Sequence, residues 1–171
     1  MLPITKNQIY LNSVLDKVNA SKNVAVIGGG FIGVEFAEQI RLLGKNVSLI
    51  ELSDACLWQA FDKQYTDEIE NLMKENGIRL YTNRKVTKIN GDKKVESLTL
   101  DNGETLEADL VILALGVMPN SALAKEAGLE LNAKGAIVVD QYTRTSVPNI
   151  FAVGDCAEKN AFSPEKMYPY Y

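Results

Sequence analysis

The sequence of 171 residues contains no histidine and only two cysteines, and these shortages exclude several classes of chemistry. Without histidine the chain cannot supply a Ser-His-Asp triad, a histidine proton shuttle or a histidine-containing metal site. Cys56 and Cys156 form neither a CxxC pair nor a zinc-binding pattern. We therefore interpret each cysteine as a small buried or incidental thiol, and we predict neither a redox centre nor a metal site.

Long apolar runs and blocks of like charge are also missing. No apolar stretch approaches the length needed to span a bilayer, and the N-terminus has no signal-peptide pattern. The formal net charge of −4 disfavours nucleic acid and anionic membranes as partners. Hydrophobic residues make up 46% of the chain, which is enough to bury a sizeable core. We expect a globular cytoplasmic protein with neither kind of partner.

A glycine-rich turn is the most informative feature that the sequence does contain. The turn consists of Gly28, Gly29, Gly30, Phe31, Ile32 and Gly33. It lies between the apolar residues 24–27 and a predicted helix, and Glu51 ends the next apolar run. This order predicts a dinucleotide-binding βαβ unit. In such a unit Gly28 permits the tight turn, Gly30 permits close approach of a pyrophosphate, and Gly33 permits close packing of helix and strand.

Glu51 indicates which dinucleotide is bound. A carboxylate at this position accepts hydrogen bonds from the adenosine ribose and repels a 2′-phosphate. Residues 52–60 contain no lysine or arginine that could hold such a phosphate. The sequence therefore favours NAD(H) over NADP(H). The alternative interpretation of Glu51 is a solvated acid at the end of a strand.

Hydrophobic periodicity predicts alternating strands and helices in the first half of the chain. The predicted elements are a helix in 7–20, a strand at 23–27, a helix ending near Gly44, a strand at 47–50, a helix ending near Gly77 and a strand at 78–81. The last of these helices is predicted to bury one apolar face, formed by Phe61, Tyr65, Ile69, Leu72 and Met73.

The pattern changes to short β-like stretches after residue 84. Residues 85–109 predict an antiparallel meander, which leads into an apolar strand over 110–116. A short helix ending near Gly128 and β-like runs at 136–139 and 150–153 follow. The predicted fold class is α/β, a Rossmann-like parallel sheet flanked by helices with an antiparallel β-meander crossover.

Three ordered motifs resemble the pyridine nucleotide–disulfide oxidoreductase family. Residues 28–35, followed by Glu51, resemble the glycine turn of its NADH-binding domain. Residues 109–120 resemble the strand and turn that lead back from that domain, and residues 145–155 resemble the second flavin motif. The branch most similar to this chain comprises NADH oxidases, NADH-dependent rubredoxin or nitrite reductases and coenzyme A disulfide reductases.

The resemblance implies NAD(H) and, in the intact protein, FAD as cofactors, and it assigns roles to individual residues. The whole turn and Glu51 bind the nucleotide, and Gly116 permits its close approach. Phe31 matches the aromatic residue that shields the flavin and moves aside for nicotinamide. Glu35 matches a glutamate near flavin and nicotinamide, and Asp155 matches the acid that binds the ribityl chain of FAD. The alternatives are core packing for Phe31 and an ion pair with lysine or arginine for Glu35.

Departures from the family pattern predict a fragment. The family's own FAD-binding glycine motif belongs before the NADH domain, and residues 1–23 contain no glycine. We expect a leading helix or linker at 1–20, the NAD(H)-binding domain at 21–118 and a truncated returning segment of the FAD domain at 119–171. The intact protein is expected to be a homodimeric flavoprotein that passes hydride from NADH to flavin, and the fragment alone to be inactive. The alternatives are a non-catalytic NAD(H)-sensing module and a structural remnant with an empty glycine loop.

Overall fold

The computed structural model describes residues 2–3 and 8–158. The chain divides into two compact units, Met1–Gly116 and Val117–Tyr171. Each of the three clusters of buried apolar side chains lies within one unit. We therefore describe the two units separately.

The first unit alternates strands and helices around a parallel sheet. Its elements are β1 (Leu2–Pro3), α1 (Gln8–Ala20), β2 (Asn23–Ile27), α2 (Phe31–Leu42), β3 (Asn46–Ile50), α3 (Lys63–Glu75), β4 (Ile78–Tyr81), β5 (Val86–Asn90), β6 (Ser97–Leu100), β7 (Thr105–Glu107) and β8 (Leu110–Leu113). The parallel sheet has the order β1-β8-β2-β3-β4, and β5-β6-β7 form a separate antiparallel sheet. The predicted Rossmann-like fold with its antiparallel meander is confirmed. The short strand β1 was not predicted.

The central strands are apolar on both faces because each face packs against a different layer. Side chains alternate between faces along a strand, so neighbours in the sequence enter different cores. The helix-side core includes Val24, Val26, Val47, Leu49 and Ile112, together with Val14 and Val18 of α1 and Met73 of α3. The meander-side core includes Ala25, Ile50, Val111, Leu98, Leu100 and Leu106. This double burial explains the apolar runs that predicted the sheet.

The predicted buried face of α3 is right for Met73 and Ile69 and wrong for the other residues. The residues that the helix buries are Thr66, Glu70 and Met73, with Ile69 partly buried. Tyr65 and Leu72, predicted for the buried face, are both more than half exposed. The side chain of Glu70 points inward because its carboxylate accepts a hydrogen bond from the buried backbone N–H of Cys56.

The second unit contains a short helix, α4 (Ala122–Glu126), and a 3-10 helix at Gly154–Cys156. The predicted end of α4 near Gly128 is confirmed. Strands predicted at 136–139 and 150–153 are wrong for the described part of this unit, because only isolated β-bridges form there. Ile137, Val139 and Ala152 of these runs join a small core with Ala124, Leu129 and Ala157. Phe151 and Val153 are exposed. Across the described residues of both units, each helix is too short or too polar to cross a bilayer.

Candidate functional site

The turn between β2 and α2 is packed so closely that two of its positions accept only glycine. Gly28 has a φ of +106°, and a Cβ there would lie 2.3 Å from the carbonyl oxygen of Ala114. A Cβ on Gly33 would lie 1.8 Å from the carbonyl oxygen of Gly28. The turn also bonds to the neighbouring strand, because the Gly28 N–H donates to the Ile50 carbonyl at 2.8 Å. The first residues of α2 therefore pack directly against the ends of β2 and β8.

Gly30 differs from these two positions because it faces open space. It is the N-cap of α2 with a φ of −74°, and a Cβ there would meet no heavy atom within 4 Å. Gly30 itself has no side chain that could cap this helix end. The N–H groups of the first helical turn and the helix dipole therefore favour an anion in front of Gly30. The residues present fit the pyrophosphate of a dinucleotide, which needs a helix N-terminus of this kind.

Glu51 lies at the carboxyl end of β3 and is bonded to the glycine turn. Its Oε2 accepts the Gly29 N–H at 2.5 Å, and its Oε1 accepts the Ser53 N–H at 2.7 Å. A carboxylate can accept about four hydrogen bonds, so two positions remain for the hydroxyls of a ribose. Glu51 is partly buried and hydrogen-bonded rather than a freely solvated acid.

The segment after β3 (residues 52–61) lies over the glycine turn. The Leu57 N–H donates to the Gly29 carbonyl at 2.8 Å. Trp58, the single tryptophan of the chain, lies in this segment and is 48% exposed. Segment 52–61 and the glycine turn together form one wall of the candidate site.

Cys56 is the buried residue of this segment. Burial and, to a smaller extent, the carboxylates of Glu70 and Glu51 together raise the pKa of its thiol to about 12. The thiol is therefore protonated at neutral pH and a poor nucleophile. Both cysteines are free, and Cys56 is buried as predicted.

Phe31 and Phe61 form an exposed aromatic pair beside the turn. Their ring centroids are 6.0 Å apart, and the rings meet edge to face at 68°. Phe31 is 51% exposed, so core packing does not account for it. Glu35 is exposed on the next turn of α2, and no ion pair joins it to a lysine or arginine of the described chain. Both candidate catalytic residues therefore project from the first two turns of α2 and are accessible.

The remaining predicted residues lie at the end of the first unit and in the second unit. Gly116 follows β8, has a φ of +103°, and faces open space. Asp155 lies exposed in the 3-10 helix of the second unit. The structure thus brings Gly28–Gly33 and Glu51 together at the carboxyl ends of β2 and β3. In the described residues, no three Cys, Asp or Glu side chains are grouped so that they could hold a metal ion.

Comparison with known proteins identifies the family of this chain. The sequence profile of the family described as pyridine nucleotide-disulphide oxidoreductase matches residues 5–168. The chain belongs to this family. The predicted family is therefore confirmed, and NAD(H) and FAD are the cofactors that its members use.

Individual members of the family are similar to most of this chain. An NADH oxidase of Streptococcus pneumoniae R6 is 43% identical over 147 residues, covering 86% of this chain and 32% of that protein. A "NAD(P)H coenzyme A polysulfide/persulfide reductase" of Pyrococcus horikoshii is 42% identical over 80% of this chain and 30% of its own length. The water-forming NADH oxidase of Lactobacillus brevis, solved with NADH bound, has a TM-score of 0.78 and 33% identity. That match covers 89% of this chain and 33% of the oxidase. The chain spans about a third of the length of these relatives.

Sequence reasoning missed Glu70 and Leu57. Glu70 contacts the site through Cys56, and Leu57 does so through Gly29. No sequence signal marked Glu70, because it lies outside the apolar face that periodicity predicted for this helix.

Proposed function

We propose that the first unit is the NAD(H)-binding domain of an FAD-dependent NADH oxidoreductase. It binds the dinucleotide at the carboxyl ends of β2 and β3 and orients the nicotinamide for hydride transfer to flavin. The observation that carries this proposal is the uncapped N-terminus of α2 at Gly30, beside the carboxylate of Glu51. An anion site and a ribose acceptor therefore lie on two sides of one glycine turn.

Each predicted residue has a part in this proposal. The pyrophosphate lies against Gly29–Gly33, and the adenosine ribose is held by Glu51. Phe31 and Glu35 are exposed at the start of α2, where they can line the nicotinamide position, and Gly116 leaves room at the end of β8. Asp155 is proposed to contact FAD. Bound FAD supplies the hydride-accepting chemistry, and the residues of this chain supply binding and orientation.

The proposed substrate is NADH rather than NADPH. At contact distance, repulsion between Glu51 and a 2′-phosphate costs about 1–4 kcal/mol, depending on burial. Segment 52–61 contains no lysine or arginine. The adjacent strand end does supply Arg84, whose backbone N–H donates to the Glu51 carbonyl and whose guanidinium donates to the Asn83 carbonyl at 2.7 Å. Arg84 is thus a cation whose backbone contacts Glu51 and whose guanidinium already donates to a carbonyl.

Titration calorimetry of the chain with NADH and with NADPH tests this proposal. We expect NADH to bind at least about tenfold more tightly, because a 2′-phosphate meets the Glu51 carboxylate. Glu51→Arg should narrow or reverse the preference, whereas Glu68→Arg, the same charge change on the exposed face of α3, should leave it unchanged. Equal affinities in the starting chain would contradict the role of Glu51, and Arg84→Ala would then test whether Arg84 holds the phosphate.

A non-catalytic NAD(H)-binding module is the second candidate function. It is favoured by the location of the whole candidate nucleotide site, from Gly28 to Gly116, within the first unit. Anaerobic mixing of the full-length protein with NADH, with the loss of oxidised-flavin absorbance recorded, separates the two candidates. The enzyme proposal, in which the rest of a homodimeric flavoprotein holds FAD, predicts that the flavin of the full-length protein is reduced by NADH and that the purified chain alone is colourless. A full-length flavoprotein that binds NADH without flavin reduction would support the binding module.

A further inference from the structure

The segment over the glycine turn contains an unfavourable backbone conformation. Leu57 has a φ of +56°, in the left-handed region that branched apolar residues rarely adopt. The residue is nevertheless buried, with 8% of its surface exposed. Such a conformation persists only where the surrounding contacts hold it. Hydrogen bonds to the backbone at Cys56 and Leu57 provide such contacts.

Four hydrogen bonds hold the backbone at Cys56 and Leu57. The Leu57 carbonyl accepts two from the N–H groups of residues 60 and 61 within the segment, and the two N–H groups donate outside it, one of them to α3. The Cys56 N–H donates to Glu70 Oε1 at 2.9 Å, and the Leu57 N–H donates to the Gly29 carbonyl at 2.8 Å. The second oxygen of Glu70 lies 3.5 Å from Lys74 Nζ. The Glu70 side chain is 11% exposed, so the bond to Cys56 forms away from bulk water. A buried bond to a charged acceptor is stronger than a neutral one.

The bond from Leu57 fixes the direction of one further N–H group. The Gly29 carbonyl belongs to the peptide plane that also contains the Gly30 N–H, and in a trans peptide the two groups point in opposite directions. Holding the carbonyl towards Leu57 therefore directs the Gly30 N–H away from segment 52–61. The other side of Gly29 is held by Glu51, which accepts its N–H. Both peptide planes of Gly29 are thus fixed before a ligand arrives.

We infer that Glu70 is a positioning residue for the nucleotide, an inference that rests on the proposed function above. Glu70 does not contact the nucleotide. It holds the bend at Cys56 and Leu57, the bend holds the Gly29 carbonyl, and the carbonyl orients the Gly30 N–H for the pyrophosphate. The effect of Glu70 is therefore confined to the diphosphate and adenosine half of the ligand.

The test compares two substitutions of Glu70 by calorimetry with NADH and with ADP-ribose. Glu70→Gln keeps an oxygen for the Cys56 N–H, and Glu70→Met keeps the volume and removes the acceptor. We expect Glu70→Met to weaken both ligands by about tenfold and by the same factor, since the buried N–H loses its partner. We expect Glu70→Gln to remain within about twofold of the starting chain. Amide hydrogen exchange should show lost protection of the Leu57 N–H in Glu70→Met alone.

Two control variants separate positioning from general destabilisation. Glu68→Gln changes an exposed glutamate on the same helix and should alter nothing. Met73→Ala removes core packing from α3 and should lower the melting temperature without changing the affinity for ADP-ribose. The inference is overturned if Glu70→Met binds as the starting chain does, or if Glu70→Gln loses as much affinity as Glu70→Met. Failure of the starting chain to bind NADH or ADP-ribose would instead overturn the proposed function.

Discussion

Gly30 and Gly33 stand three residues apart in one turn but lack a side chain for different physical reasons. At Gly33 the neighbouring backbone fills the space where a Cβ would lie, so the requirement is one of folding. At Gly30 the space is open and the backbone dihedral angles suit any residue. A side chain at Gly30 would instead occupy the space in front of the helix, where the pyrophosphate is proposed to bind.

Alanine substitutions at these two positions should therefore affect different properties, stability at Gly33 and nucleotide affinity at Gly30. Gly33→Ala should lower the free energy of unfolding by about 3 kcal/mol or more, because backbone has to move. Gly30→Ala should lower it by no more than about 1 kcal/mol, the usual scale of an N-cap change, while reducing affinity for NADH at least about tenfold. Urea unfolding and calorimetry of both variants check this. Unchanged NADH affinity in Gly30→Ala would place the pyrophosphate elsewhere.

At the residue scale, the sequence predicted the parts of the site that follow a local pattern. The spacing of the glycines and the position of Glu51 were enough, because each acts close to its place in the βαβ unit. Glu70 could not be predicted, because its role depends on a contact across 14 residues between a helix and the segment after β3. Glu70 also lies outside the apolar face that periodicity predicted for α3, so no local pattern marked it.

At the scale of the elements, Asp109 connects the starts of β8 and β2. Its carboxylate accepts the N–H of Asn23 at 2.7 Å and that of Lys22 at 3.0 Å. Its own N–H donates to the Asn23 carbonyl at 2.8 Å. These donors, first Asn23 and then Lys22, lower the pKa of Asp109 below its usual value. The fold therefore stabilises the charged form of Asp109 at the point where the parallel strands β2 and β8 begin.

The lowered pKa of Asp109 predicts how the free energy of unfolding depends on pH. A carboxylate whose pKa is lower in the folded state stabilises the fold above its unfolded pKa, about 3.9, and loses that contribution as the pH falls through the folded value. Asp109→Asn should lower the free energy of unfolding at pH 7 by about 1 kcal/mol, a small value because the group is solvent-exposed. The difference from the starting chain should shrink below about pH 4. Urea titrations at several pH values measure it, with Asp101→Asn as the control in an exposed turn.

Ser48 is a second element-scale case, in the middle of β3. The residue is 2% exposed, and its hydroxyl has no hydrogen-bond partner among the residues that the structure describes. Ser48→Ala should raise the free energy of unfolding by up to about 1 kcal/mol, because it removes a buried polar group that has no partner. Ser97→Ala should have the opposite effect, since the Ser97 hydroxyl accepts a bond from Asn90 Nδ2 at 3.1 Å. Thermal unfolding of the two variants measures the contrast. A stability loss in Ser48→Ala would contradict the assignment of an unpaired hydroxyl.

Apolar runs in the sequence predicted strands correctly in the centre of the first unit but not in the second unit. The central strands β2, β3 and β8 were predictable because both of their faces are buried and their apolar runs are continuous. The runs at 136–139 and 150–153 are equally apolar, but in the described chain they bond only through isolated bridges. A strand needs a partner over several residues, and the composition of one segment does not specify that partner.

At the scale of the whole molecule, the first unit has the cores that a domain needs. Its two buried clusters draw on residues from α1 to Ala114, and the third cluster begins at Ala124. A chain that ends at Gly116 should therefore fold and bind NADH within about twofold of the affinity of the whole chain. Circular dichroism and calorimetry of the shortened chain check this. An unfolded or non-binding product would show that residues after Gly116 complete the nucleotide site.

The position of Trp58 has a practical consequence. Because it is the single tryptophan, the indole fluorescence of the chain reports on one place, the segment that bonds to Gly29 through Leu57. Reduced nicotinamide absorbs in the range where indole emits, so NADH bound at the glycine turn should quench this emission by energy transfer. The molecule thus contains its own optical probe, with which nucleotide arrival can be timed without a label.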